Sequence, residues 1–182
     1  MSKNDRYKRS IVFMNRVYPP GRGASGRVLR DLARSFAREG WQVSVITSGP
    51  KAGVELDNDV QVFRVKGPLK PKGAIGYGVV WLKMFMKGLS MPKANLWVTM
   101  SDPPFLVTVG QTLKGLKGGR HIHWCHDLYP DLLPALNIKL PWPFMQIGKR
   151  RAYKDMKRCD KLIVVGRCMA RRLIRKGISP GH

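Results

Sequence analysis

Residues 11–49 spell out an apolar run, a glycine turn, an amphipathic helix and a second apolar run, and that order leaves little choice of architecture. Ile11-Val12-Phe13-Met14 is the first run. Val28, Leu29, Leu32, Ala33 and Phe36 then recur at helical spacing, with Arg27, Arg30, Asp31, Arg34 and Arg38 outside the stripe. Gly40 follows the last periodic residues, where a left-handed C-cap favours glycine. Residues 41–47 read as a β-branched strand. Two strands joined through a helix are expected to lie parallel and buried. The alternation continues: 60–65, 95–100, 120–125 and 161–165 read as strands, and 76–91, 105–116, 142–158 and 167–176 as helices. Residues 50–59 read as a polar loop, and 127–137 as a short helix or turn interrupted by Pro130 and Pro134. The expected fold is α/β, a doubly wound, mostly parallel sheet of about six or seven strands flanked by helices.

The chain has 182 residues, enough for one domain or slightly more, and its apolar share of 43% supports a packed core. Its formal net charge of +23 implies an anionic partner: nucleic acid, an acidic membrane surface or a phosphate-bearing substrate. Residues 1–10 form a basic tail, and the apolar run after it is broken at once by Asn15 and Arg16, too soon for a signal peptide. Cys125, Cys159 and Cys168 include no C-x-x-C pair, which indicates neither a disulfide framework nor a zinc ribbon and fits a reducing cytoplasm.

Gly21-Arg22-Gly23-Ala24-Ser25-Gly26 matches G-x-G-x-x-G directly before a helix. Glycines let backbone amides approach an anion, and a helix N-terminus adds free N–H donors and a positive dipole end. A dinucleotide site is disfavoured, because Tyr18-Pro19-Pro20 lengthens the turn and no acidic residue ends the second strand to hold a ribose. A nucleotide-cofactor oxidoreductase is disfavoured with it. The competing reading is that these glycines serve only the turn and close helix packing.

The helix at 76–91 carries the stripe Tyr77, Val80, Trp81, Met84, Phe85 and Leu89, yet Val79, Leu82 and Met86 are apolar too. Only Lys83, Lys87 and Ser90 make a polar edge, so the helix is either buried or lies in a membrane interface with its lysines at headgroup level. His121, His123 and His126 with Asp127 invite a metal, but His121 and His123 share one strand face while His126 falls beyond it. They are read as packed strand residues, with His126-Asp127 reaching a cleft and no metal site. The Gly21–Gly26 loop, Asp102 and His126-Asp127 all fall at strand ends where doubly wound sheets bind ligands.

Together these residues resemble a known family. Val12-Phe13-Met14-Asn15-Arg16-Val17-Tyr18-Pro19-Pro20 with Gly23-Ala24-Ser25-Gly26 looks like the opening of family 4 GT-B glycosyltransferases. Gly40-Trp41-Gln42-Val43-Ser44-Val45-Ile46-Thr47, Asp102-Pro103-Pro104, His126-Asp127-Leu128-Tyr129-Pro130-Asp131 and Asp160-Lys161-Leu162-Ile163-Val164-Val165 follow in the family's order. The resemblance implies the Rossmann-like, acceptor-side N-terminal half of a retaining bacterial enzyme over residues 11–178. Residues 179–182 would begin a linker to a donor-binding C-terminal half, absent here or supplied by a separate chain, and alone the chain would transfer little. By the same resemblance Gly23, Ala24, Ser25 and Gly26 would lie beside the diphosphate of a nucleotide-sugar, a substrate rather than a cofactor. His126 or Asp127 would be catalytic, touching the transferred sugar or the acceptor hydroxyl. The acceptor would be a glycan or lipid-linked sugar of cell-envelope polysaccharide synthesis. Asp102, Trp81, Lys83, Phe85, Lys87, Lys149, Arg150 and Arg151 would face the acceptor or an anionic membrane, placing the protein at the cytoplasmic face of the plasma membrane. The alternative is a basic α/β module binding nucleic acid or anionic membrane without catalysis, although no recognised nucleic-acid motif is present.

Overall fold

The computed structural model of the chain describes residues 9–21, 23–129, 131–133 and 141–179. Most of the tail at 1–10, Arg22 of the glycine turn, Pro130, Pro134 and the rest of 134–140, and the linker start at 180–182 lie outside the described residues. The elements are β1 (Ser10–Met14), α1 (Ala24–Arg38), β2 (Gln42–Gly49), β3 (Gly53–Asp57), β4 (Val60–Lys66), α2 (Gly73–Ser90), β5 (Leu96–Thr99), α3 (Leu106–Lys117), β6 (Arg120–Cys125), α4 (Trp142–Met156), β7 (Lys161–Val164) and α5 (Arg167–Arg175).

Seven strands form one sheet in the order β3-β4-β2-β1-β5-β6-β7. Six run parallel, and β3 alone is antiparallel, folded back on β4 through Asn58 and Asp59. The polar loop expected at 50–59 is thus corrected: its middle is an edge strand whose Val54 and Leu56 meet no core and stay 67% and 72% exposed. From β1 the chain winds one way through β2 and β4 and the other way through β5, β6 and β7. The β1/β5 boundary is therefore the topological switch point, where open α/β sheets form a crevice beyond the strand ends.

The core is split by the period-two alternation of the strands. Ile11 and Phe13 of β1 face Leu29 and Ala33 of α1, together with Val43, Val45, Val60 and Val62. Val12 and Met14 face the opposite layer, Val80 and Met84 of α2 and Leu106, Val109 and Leu113 of α3, with Trp97 between them. A third cluster, Val107, Cys125, Ala152, Met156 and Leu173, seats α4 and α5 against the β6 side. Val28, counted in the α1 stripe, is exposed at the margin of that face.

Helix α1 ends as its sequence dictates. Gly40 takes φ +82°, its N–H donates to the Ala37 carbonyl at 2.9 Å and that of Trp41 to Phe36 at 3.1 Å, the paired bonds of a Schellman cap. Its start differs from expectation. The helix begins at Ala24, so Ser25 and Gly26 belong to its first turn instead of preceding it.

Candidate functional site

The loops after β1, β5 and β6 meet over the switch point. Asn15 closes β1 with its N–H on the Ile46 carbonyl and its Nδ2 on the Val17 carbonyl, which turns the chain sharply outward. Arg16 then reaches across to the β5 end. Its backbone N–H donates to the Asp102 carbonyl at 2.6 Å, its Nε to Asp102 Oδ1 at 2.7 Å, and its Nη2 lies 2.7 Å from Oδ2. The fork-on-fork geometry fixes both groups. Nη1 of the same guanidinium donates to the Leu69 carbonyl, and its Cζ stands 5.9 Å from the Tyr77 ring of α2. Burial lifts the Asp102 carboxyl above its ordinary value while the Arg16 guanidinium pulls it back. Asp102, expected to face an acceptor, is occupied by this pair, and Arg16 is the partner that sequence reasoning missed. Its only signal was its place immediately after a buried strand.

The glycine turn carries two constraints at once. A Cβ on Gly26 would lie 2.9 Å from the Val17 carbonyl oxygen, and one on Gly23 would lie 2.9 Å from Val17 Cγ1. The packing reading of these glycines is therefore real. It brings the first turn of α1 hard against the β1 loop, with no acidic residue in that turn and no side-chain cap on its amides. The N–H groups of Ala24, Ser25 and Gly26 remain a donor set at a positive helix end.

Ser101 organises the β6 end. Its Oγ accepts the backbone N–H of His126 at 2.8 Å and of Asp127 at 3.1 Å. The His126 ring lies 4.7 Å from that of Trp124, and its Nε2 is buried without a hydrogen-bond partner among the described residues. Burial holds this imidazole below its ordinary value, opposed by Asp127. Neutral and unpartnered, Nε2 has a free hydrogen-bonding position, and the neighbouring Asp127 is exposed.

His121 and His123 are elsewhere, packed in the sheet as expected. Both rings share Thr99 Oγ1, at 2.8 Å and 3.0 Å, and burial drives them down to about 3 and about 4 respectively. Among the described residues no three His, Cys, Asp or Glu side chains gather as a metal site.

The residues expected at a membrane or acceptor surface divide. Trp81 and Phe85 are half-buried against the core, ring centroids 5.6 Å apart, and Trp81 Nε1 donates to the Phe105 carbonyl at 3.2 Å. Lys83 Nζ donates to the Lys66 carbonyl, and Lys87 Nζ sits 4.2 Å over the Phe63 ring. Besides Lys83, α2 shows to solvent Ile75, Val79, Leu82 and Met86, the four apolar residues spaced along one face. On α4, Lys149 and Arg150 have no acidic partner among the described residues, while Arg151 Nε donates to the buried carboxylate of Asp155 at 2.8 Å. No described helix is long and apolar enough to cross a membrane.

A family model, Glycosyltransferase Family 4, matches residues 25–182. No curated protein matches the chain. Among solved structures, HepE of Anabaena in complex with UDP is 15% identical, with a TM-score of 0.51 over 94% of this chain and 42% of its own. Trehalose 6-phosphate synthase from Burkholderia multivorans is 14% identical, TM-score 0.51, over 94% and 44%. The UDP-forming trehalose-phosphate synthase from Burkholderia vietnamiensis is 14% identical, TM-score 0.52, over 94% and 43%. This chain therefore spans less than half the length of the solved structures it matches. The sheet is the Rossmann-like half of a GT-B fold.

Proposed function

The chain belongs to Glycosyltransferase Family 4, and from that premise we propose that it is the acceptor-side half of a retaining bacterial enzyme of cell-envelope polysaccharide synthesis. The sugar moves from a nucleotide-sugar, held mainly by a C-terminal donor half, to a glycan or lipid-linked acceptor. The observation that carries this is what the loops beyond β1, β5 and β6 bear: one leads into the uncapped first turn of α1, and another holds His126, whose Nε2 has no hydrogen-bond partner among the described residues.

The amides of Ala24, Ser25 and Gly26 would offer hydrogen bonds to the donor diphosphate, where negative charge grows as the sugar departs. His126, held neutral and fixed through Ser101, would bond a sugar hydroxyl. Asp127 beside it, exposed, would accept the proton of the attacking acceptor hydroxyl. Arg16 and Asp102 are positioning residues that lock the β1 and β5 loops together. The exposed apolar face of α2 and the cations of α4 would hold the protein peripherally at the inner face of the plasma membrane.

The test is transfer of labelled sugar to membrane-extracted acceptors by this chain supplied with a donor-binding half. His126→Ala should lower kcat by about 100-fold or more with the melting temperature kept. Undiminished transfer by both His126→Ala and Asp127→Ala would overturn the assignment.

A further inference from the structure

Resting on that reading, we propose that the cleft between the N-terminal half of α2 and the β5–α3 turn seats the alkyl or prenyl chain of a lipid-linked acceptor. It thereby delivers the head group to Asp127. The cleft has a volume of about 290 Å³, bounded by Ala74, Tyr77, Gly78 and Trp81 on one side and Pro104, Phe105 and Leu133 on the other. Its walls are almost wholly apolar. The Trp81 indole N–H is already committed to the Phe105 carbonyl, which leaves the Tyr77 hydroxyl as the one side-chain polar group among the described residues of the lining. A sugar ring buried here would lose hydration without replacement, whereas a hydrocarbon loses nothing.

Position selects the acceptor over a stray apolar ligand. Phe105 lines this cleft and also a small adjoining recess with Ser101, Asp127 and Tyr129. One residue thus borders both the hydrocarbon slot and the recess that holds Asp127. Its backbone is held at φ 65°, a left-handed conformation that a bulky residue adopts only when its surroundings impose it. At the mouth, Tyr77 borders the Arg16–Asp102 pair. Outward, the exposed Ile75, Val79 and Leu82 continue the apolar surface from the cleft along α2, a path by which a chain could leave a lipid layer without crossing water. Lys70 and Lys72, both exposed just before the helix, supply positive charge for an acceptor phosphate.

Gly78 offers a clean test, because a Cβ added there meets nothing within 4 Å and the position has no left-handed backbone. Gly78→Phe should fill the slot while improving helix propensity. The 182-residue chain is titrated calorimetrically with farnesyl phosphate below its micellar concentration. Saturable one-to-one binding is expected, weakened about tenfold or more in Gly78→Phe with an unchanged or higher melting temperature. Leu56→Gln, on the exposed edge strand β3 and outside the slot, should stay within about twofold of the parent. Equal binding by the parent and Gly78→Phe, or no binding by either, overturns the proposal. Transfer to a soluble glycan separates the two readings. If the completed enzyme transfers normally but farnesyl phosphate ignores Gly78→Phe, the slot is refuted and the glycosyltransferase stands. If farnesyl phosphate binding depends on Gly78 but no acceptor is ever glycosylated, the slot stands and the catalytic reading fails.

Discussion

Arg16 ties three elements with one guanidinium: the β1 loop it belongs to, Asp102 after β5, and the Leu69 carbonyl before α2. Removing only the cation strands a largely buried carboxylate, so Arg16→Met should cost about 3 kcal/mol in urea denaturation, and Arg16→Met/Asp102→Leu should recover much of it. The paired histidines make a separate acid-sensitive point. Their folded values, about 3 for His121 and about 4 for His123, lie below the ordinary 6.5 because both rings are buried. Below pH 6.5 the unfolded chain takes up protons that the native chain refuses. Their contribution is therefore whole above about pH 6.5 and falls as the pH drops toward 4, at up to about 1.4 kcal/mol per pH unit for each ring. Urea midpoints measured from pH 7.5 to 4.5 should show that decline, and His121→Gln/His123→Gln should flatten it.

Among the elements, α1 with its cap tests how far local sequence controls structure. Gly40→Ala forces a side chain into φ +82° and should cost about 1 kcal/mol by thermal melting. Helix α2 tests the surface reading. Because Val79, Leu82 and Met86 are exposed, changing all three to Ser should leave the melting temperature nearly unchanged while abolishing salt-resistant binding to anionic vesicles. Trp81 and Phe85 would be the wrong targets, since both also pack against the core. Elements whose burial is written in periodicity were legible in the sequence, which is why α1, β2, β4 and the central strands were found. Strand β3 was not, because its Val54 and Leu56 cover nothing and its existence depends on register with Phe63 and Gln61 of β4. At the site, the glycine turn and His126-Asp127 were readable as strand-end chemistry. The Arg16–Asp102 pair, the Ser101 anchor and the Phe105 border arise only when loops distant in sequence converge.

For the molecule as a whole, the sheet's connectivity dictates when its parts can exist. Strand β1 sits at the centre, bonded on one side to β2 and on the other to β5, and Ser10 meets Asn95 across 85 positions. During synthesis β1, β2, β3 and β4 can pair as soon as they emerge, but the second edge of β1 must wait for β5. In that interval a strand that will be central, apolar on both faces, has an open hydrogen-bonding edge. The crevice too is unmade, since Asp102, Ser101 and Phe105 have not left the ribosome. A chain released early would therefore be a half-sheet inviting strand exchange with its neighbours, and the site would be the last thing the protein acquires as it is born.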